Sequence, residues 1–200
     1  MRTRPFKFTM KILWNLKASL YHFFRMLPGV RWIIVQEKAN LRKLLPPEIG
    51  SFGVILDIGT GTGSSLDIFP ENLLIVAVDQ SVDMLKQAIR RRSGAIAVAA
   101  SANALPFKSS VFDFCSCIGV TEYFSRPGIP LAEIHRILTD SGRLLITFPK
   151  FSGFNFLRIF LGHPVYLRNA FWKRLLNDSH FSHEKMMHSW LQVQIPARKS

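Results

Sequence analysis

Five short apolar runs punctuate the middle of this chain, each separated from the next by a longer or more polar stretch. They are GVILDIG (53–59), LLIVAVD (73–79), AIAVAA (95–100), FDFCSCIG (112–119) and GRLLITFP (142–149). A strand that packs on one face alternates apolar with polar residues, whereas a strand covered on both faces is apolar throughout. These runs follow the second pattern, and each reads as too apolar on both faces to face solvent. Between them lie helical candidates: a short segment after Gly63 stopped by Pro70, SVDMLKQAIRRR (81–92) and IPLAEIHRILTD (129–140). Ser81 suits an N-cap, Asp83 favours the first turn, and Arg90 to Arg92 before Gly94 mark a C-terminal end. Ser141-Gly142 is expected to close the third helix. Strands alternating with crossover helices specify an α/β fold, a doubly wound and mostly parallel sheet.

The flanks read differently. Residues 10–45 fit two amphipathic helices separated by LPGV (27–30) and ended by Pro46-Pro47. After the fifth run, FNFLRIFLGHPVYLRNAFWKRLLND forms an aromatic, basic helical insertion broken by Gly162 and Pro164. The last stretch alternates Trp190, Gln192 and Gln194 with Leu191, Val193 and Ile195, as a two-faced edge strand does. A chain of 200 residues suits one core. The expected organisation is a single domain over 1–200, with a helical segment at 1–50, the sheet core at 51–149, and helices and last strands at 150–200.

Charge divides the same way. Residues 1–50 hold ten basic side chains against two acidic, 51–149 eight against nine, and 150–200 eight against two. A balanced scaffold is thus flanked by basic ends, which suit an anionic partner: a membrane surface, a phosphorylated or carboxylated substrate, or nucleic acid. Lys11 and Lys17 interrupt every apolar run near the start, so neither a secretory core nor a membrane-spanning segment is read there. Cys115 and Cys117 lie two apart in an apolar strand, which disfavours a mutual disulfide and offers too few ligands for a metal. They read as small core residues of a cytoplasmic protein, with attachment to a membrane surface left open.

The stretch VILDIGTGTGSS, at 54–65, carries the sharpest functional signal. A strand that feeds a glycine-rich turn presents backbone N–H groups, and the missing Cβ atoms let a ligand lie against the chain. The spacing is Gly-x-Gly-x-Gly, one residue tighter at its end than the dinucleotide fingerprint. Asp57 stands in the strand end, where a carboxylate suits an amino group and repels a pyrophosphate. Asp79 ends the next strand, 20 residues after Gly59, where it can accept both ribose hydroxyls. Together these features point to an adenosine carrying a charged amino-acid tail.

VILDIGTGTG, VAVDQSVDMLKQA, ANALPFKSSVFDFCSCIGVTEYF and EIHRILTDSGRLLITFP, in this order, resemble successive motifs of the class I S-adenosylmethionine-dependent methyltransferases. Within that family they are most similar to the ubiquinone and menaquinone biosynthesis group. The resemblance covers about residues 40 to 150 and implies a Rossmann-like methyltransferase fold with N-terminal helices and a helical insertion after the fifth strand. It implies S-adenosylmethionine as cofactor, bound at a loop formed by Gly59, Thr60, Gly61 and Gly63, the glycines against its methionine portion and Asp57 nearby. Asp79 is implied for the ribose, Gln80 for the neighbourhood of the adenine, Ser101 and Ala102 for the adenine edge, and Cys117 with Ile118 for the methionine tail. Ser101 stands where the family usually has Asp.

The family also implies where the acceptor lies, beneath the N-terminal helices and the insertion. Both are basic and rich in Phe, Trp, Leu and Tyr, which favours a small lipophilic acceptor and leaves peripheral membrane association open. Methyl transfer from a sulfonium needs alignment and dryness more than a general base. Glu122 and Tyr123 are the polar groups nearest the expected methyl and are the catalytic candidates. IGVTEYF lacks the Asn/Asp-Pro-Pro-aromatic signature of nucleobase amino-methylation, so nucleic acid is the less favoured partner. RNA methylation and a non-catalytic, methyltransferase-like binding subunit remain as alternatives.

Overall fold

The structure, a computed structural model, describes residues 28–150, 169–184 and 186–200. The chain divides into two units, Met1–Glu37 and Lys38–Ser200. The first of the two expected N-terminal helices and most of the expected insertion, residues 151–168, lie outside the described residues. Helix α1 (Pro28–Lys43) accounts for the second. It is followed by a 3-10 turn at Pro47–Ser51, which Pro46 and Pro47 start. Among the described residues no helix is long and apolar enough to cross a membrane.

The sheet core begins with β1 (Val54–Ile58) and β2 (Leu74–Asp79), continues through α2 (Val82–Arg91), β3 (Ile96–Ala99), β4 (Phe112–Cys117) and α3 (Gly128–Ile137), and reaches β5 (Leu138–Pro149). Helix α4 (Asn169–Asp178), β6 (Phe181–His183), β7 (Met187–His188) and β8 (Gln192–Lys199) complete it. Strand order is β3-β2-β1-β4-β5-β8-β6, with β7 also on β8. β1 to β5 pair in parallel, and β8 runs antiparallel to β5, β6 and β7. The chain winds outward from β1 through β2 to β3, then returns to the other side of β1 as β4. That reversal opens a crevice at the C-terminal ends of β1 and β4, where open α/β sheets hold their ligands.

Two cores result from the alternation of side chains along each strand. Leu56 and Ile58 of β1 join Cys115, Cys117, Leu144 and Ile146 beneath Leu131 and Ile134 of α3. Ile55, Ile75, Phe114 and Leu145 point the other way, against Leu66, Phe69 and Ala88. Both cysteines are free and buried, as their apolar neighbours lead one to expect.

Four expectations are corrected. The third helix ends at Ile137, not near 140, because Leu138 pairs beside Phe112 and is fully buried there. Ser141 and Gly142 therefore lie inside β5. β3 is not buried on both faces: it ends the sheet, and Ile96 is 49% exposed. β8 is an interior strand rather than an edge, since β6 and β7 cover its outer side and even Gln194 is fully buried. The segment after Gly63 is only a 3-10 turn, Ser65–Ile68.

Charged groups pin that turn from outside. The Asp67 carboxylate accepts from Arg91 at 2.6 and 2.5 Å and from Lys38 at 2.6 Å. Arg92 donates to the carbonyls of Leu66 at 3.0 Å, Phe69 at 3.2 Å and Leu73 at 3.3 Å, and also to that of Pro70. Burial pushes the Asp67 carboxyl up, but the hydrogen bonds from Arg91 and Lys38 outweigh it and hold its pKa below the ordinary 3.8. A carboxylate whose folded pKa is depressed adds stability above its unfolded pKa and loses it as pH falls through the folded value. Urea unfolding across pH 2 to 7 is therefore expected to show the advantage of wild type over Asp67→Asn shrinking as pH drops below about 4.

Candidate functional site

The C-terminal end of β1 carries a carboxylate that three hydroxyls enclose. Asp57 is 1% exposed. Its oxygens accept from Thr60 Oγ1 at 2.6 Å, Ser65 Oγ at 2.6 Å and Ser116 Oγ at 2.5 Å. Asp57 and Ser116 meet because β1 and β4 pair in that register. Burial drives the Asp57 pKa above 3.8; the three hydroxyls oppose the rise, and the negative charge of Asp79 adds to it. The carboxylate thus draws together the loop (Thr60), the following turn (Ser65) and the neighbouring strand (Ser116).

The glycines differ in what they do. Gly59, Gly61 and Gly63 have φ of +69°, +53° and +79°, the left-handed region that side chains resist. A Cβ on Gly59 would lie 2.7 Å from Val120 Cβ, and one on Gly63 would lie 2.9 Å from Ala88 Cα. Those two glycines allow close packing of the loop on its neighbours. Gly61, and Gly119 with φ +66° at the end of β4, would meet nothing within 4 Å. These two glycines, after the ends of β1 and β4, thus have open space beside them.

The loop uses most of its N–H groups on the protein, contrary to a simple picture of donors aimed at a ligand. Gly59 and Thr60 donate to the Val78 carbonyl at 2.8 and 3.0 Å, and Gly63 donates to Thr60 at 2.9 Å. Gly61 N–H alone turns to a side chain, Asp79 Oδ2, at 2.9 Å. The other Asp79 oxygen accepts from Ser81 N–H at 2.9 Å. Gln80 beside it is exposed.

Ser101 and Ala102 follow β3 after Ala100, whose N–H donates to the Asp79 carbonyl at 3.1 Å and brings this corner to the end of β2. Ser101 Oγ accepts from Asn103 N–H at 3.2 Å. Ala102 packs against the core under α3. Cys117 is fully buried in that same core, and Ile118 packs against the other. Burial, then the charge of Asp57, keeps the Cys117 thiol far above its ordinary pKa, so it is no nucleophile.

Beyond β4, Gly119 N–H donates to Thr147 Oγ1 at 2.9 Å and Thr121 Oγ1 to the Thr147 carbonyl at 2.7 Å, which ties the loop to β5. The short turn Thr121–Tyr123 then buries Glu122, 3% exposed, and leaves Tyr123 49% exposed. Of the two catalytic candidates only Tyr123 presents substantial surface. His135 packs edge-on to Phe181 at 5.5 Å between ring centres, away from this crevice. Among the described residues no group of three or more His, Cys, Asp or Glu could hold a metal ion.

Sequence reasoning missed Ser65, Ser116 and Thr147. Ser116 had a visible signal, a lone hydroxyl between two buried cysteines, opposite a buried acid in the adjacent strand. The glycines yield a direct test. Both Gly61→Ala and Gly63→Ala incur left-handed strain of about 1–3 kcal/mol, but only Gly63→Ala also meets backbone. Thermal melts should show Gly63→Ala losing more, at about 2–4 °C per kcal/mol for a chain of this size.

Comparison with known proteins agrees with this geometry. Residues 56–146 match the methyltransferase domain family. Over 93 residues the chain is 34% identical to a demethylmenaquinone methyltransferase of Renibacterium salmoninarum, covering 46% of this chain and 39% of that one. The chain spans between 37% and 52% of the length of the curated relatives it matches. A SAM-dependent methyltransferase from Thermotoga maritima superposes with a TM-score of 0.73 at 21% identity, covering 94% of this chain and all of that one. The Burkholderia thailandensis 1,6-didemethyltoxoflavin-N1-methyltransferase, solved with that compound and S-adenosylhomocysteine, gives 0.69 at 19%, covering 100% and 92%. Residues 56–146 thus match a methyltransferase domain, and the chain has the fold of these methyltransferase structures.

Proposed function

We propose that this protein binds S-adenosylmethionine at the C-terminal ends of β1, β2 and β4 and transfers its methyl group to a small, apolar acceptor. The observation that carries this reading is the pairing of Gly61 with Asp79. A left-handed glycine with open space lies against the carboxylate that ends β2. When bound there, S-adenosylmethionine would supply a methyl group already activated by its positively charged sulfur.

The residues have separate tasks. Asp79 exchanges its hydrogen bond from Gly61 for the ribose hydroxyls, and Gln80, Ser101 and Ala102 border the adenine. Gly59, Thr60, Gly61 and Gly63 form the wall beside the methionine portion, with the backbone of Cys117 and Ile118 across from them. Asp57 acts through Thr60, Ser65 and Ser116 and is a positioning residue. Tyr123, at the mouth, orients the acceptor; Glu122, buried beneath it, shapes that mouth. The acceptor class follows from the aromatic flanks of the sequence, and is supported by the small-molecule names of the demethylmenaquinone and didemethyltoxoflavin enzymes. The basic ends favour a site of action near an anionic surface in the cytoplasm.

Titration calorimetry with S-adenosylhomocysteine is expected to show binding, with Asp79→Ala weakening it at least tenfold, the loss of about 1.4 kcal/mol or more. No binding at millimolar ligand sinks the cofactor assignment. Methyl-labelled cofactor, incubated with cell extract split into lipid, RNA and protein fractions, should label the lipid or small-molecule fraction. Label in RNA instead overturns the acceptor class. Once an acceptor is in hand, Tyr123→Phe should lower kcat/KM for it about tenfold with KM for cofactor unchanged; unchanged turnover removes Tyr123 from the mechanism.

A further inference from the structure

The segment that links β3 to β4 has no regular structure, yet its first residues border the proposed adenine site. Ser101 opens a tight turn in which Ala104 N–H donates to the Ser101 carbonyl at 3.0 Å. One end of this turn is tied to β2 through Ala100. Its other end is Leu105, followed by Pro106, which has no N–H to give. Phe107 N–H donates back to the Leu105 carbonyl at 2.8 Å, and α3 supplies further partners to this backbone.

Leu105 N–H donates to Glu133 Oε2 at 2.8 Å. Arg136 spreads its fork over the two carbonyls that flank Pro106, donating to Phe107 at 2.8 Å and to Leu105 at 3.1 Å. The two side chains also bind each other, Arg136 Nε to Glu133 Oε1 and Nη2 to Oε2, both at 2.8 Å. Each therefore holds the other's geometry while holding the loop. The hydrogen bonds from Arg136 draw the Glu133 carboxyl below its ordinary pKa against partial burial, with the Leu105 N–H adding to the effect. The carboxylate stays ionised at neutral pH. Further along, Ser110 N–H donates to the Arg136 carbonyl at 3.0 Å and Val111 N–H to that of Ile137 at 2.8 Å. The loop from its turn to β4 rests on one helix.

We infer that Glu133 and Arg136 are positioning residues for the cofactor: from α3 they hold Leu105 and Phe107 and so fix the turn of Ser101 and Ala102 that borders the adenine. This inference rests on the cofactor reading above. Ordering the turn in advance removes that cost from binding, because apparent affinity scales with the fraction of molecules already in the competent form. The pair touches no reacting atom, so it sets cofactor affinity and leaves the chemical step alone. The planar fork suits this task, since its separate nitrogens reach two carbonyls and a carboxylate, whereas a lysine brings all its donors on one nitrogen.

The test measures S-adenosylhomocysteine affinity, steady-state kinetics and amide hydrogen exchange on the full-length protein. Glu133→Ala and Arg136→Ala are each expected to weaken binding about tenfold and to raise KM for S-adenosylmethionine to match, as a drop to one tenth in the ordered fraction demands. kcat at saturating cofactor should stay within about twofold of wild type. Exchange at the Leu105 amide should accelerate while β1 and β2 keep their protection. Glu133→Gln, which keeps an acceptor for Leu105 N–H, should recover most of the affinity, whereas Arg136→Lys should recover little. Should an alanine variant fail to fold, these two conservative variants carry the test. Variants that bind as tightly as wild type overturn the positioning role alone. Wild type that does not bind S-adenosylhomocysteine overturns the cofactor reading, and this inference with it.

Discussion

A carboxylate sealed at the end of the central strand organises everything around it. Asp57 lies where water cannot solvate it, so its charge must be met by the protein or lost to a proton. Three hydroxyls meet it, and each comes from a different piece of chain: Thr60 from the glycine loop, Ser65 from the turn beyond, Ser116 from β4. The requirement to satisfy one buried group thereby fixes the loop's path and draws β4 to β1. The crevice between those two strand ends is the space in which a ligand can lie.

The walls of that space are held from outside by a second set of charges. Asp67, Arg91 and Arg92 fasten the turn after the glycine loop to the end of α2, and Glu133 with Arg136 fasten the loop after β3 to α3. Both fasteners use arginine forks on backbone carbonyls outside the regular strands and α-helices. A charged donor suits the task because a buried carbonyl left without a partner is costly, and a guanidinium can reach several at once. The corner around these strand ends is thus built from irregular backbone held by side chains on regular helices.

Much of the architecture was legible in the order of apolar runs. Continuous apolarity identified the parallel strands. The expectation that Asp57 would face an amino group is corrected, because Asp57 is sealed from solvent and its oxygens accept from the hydroxyls of Thr60, Ser65 and Ser116. Legibility failed where burial came from non-neighbours. Nothing local marks Leu138 as the start of a strand, since its partner Phe112 is 26 positions earlier. Gln194 reads as solvent-facing yet is fully buried, and the strands β6 and β7 that flank β8 are, at three and two residues, too short to show a period. β3 looked buried because its residues are apolar, yet its place at the sheet's end exposes Ile96. Glu133 and Arg136 read as an ordinary helical ion pair, because their loop partners lie 28 to 31 residues away.

By itself the amino-acid order determined the fold class, the glycine turn and the two acids that bracket it, because strand apolarity, left-handed glycines and a strand-end carboxylate are local properties. Only the tertiary structure decided which glycines serve packing and which leave room for a ligand, that Asp57 is enclosed by hydroxyls, and which helix holds the turn at Ser101. These depend on register and on contacts across dozens of residues, where a one-residue slip would send each side chain to the opposite face.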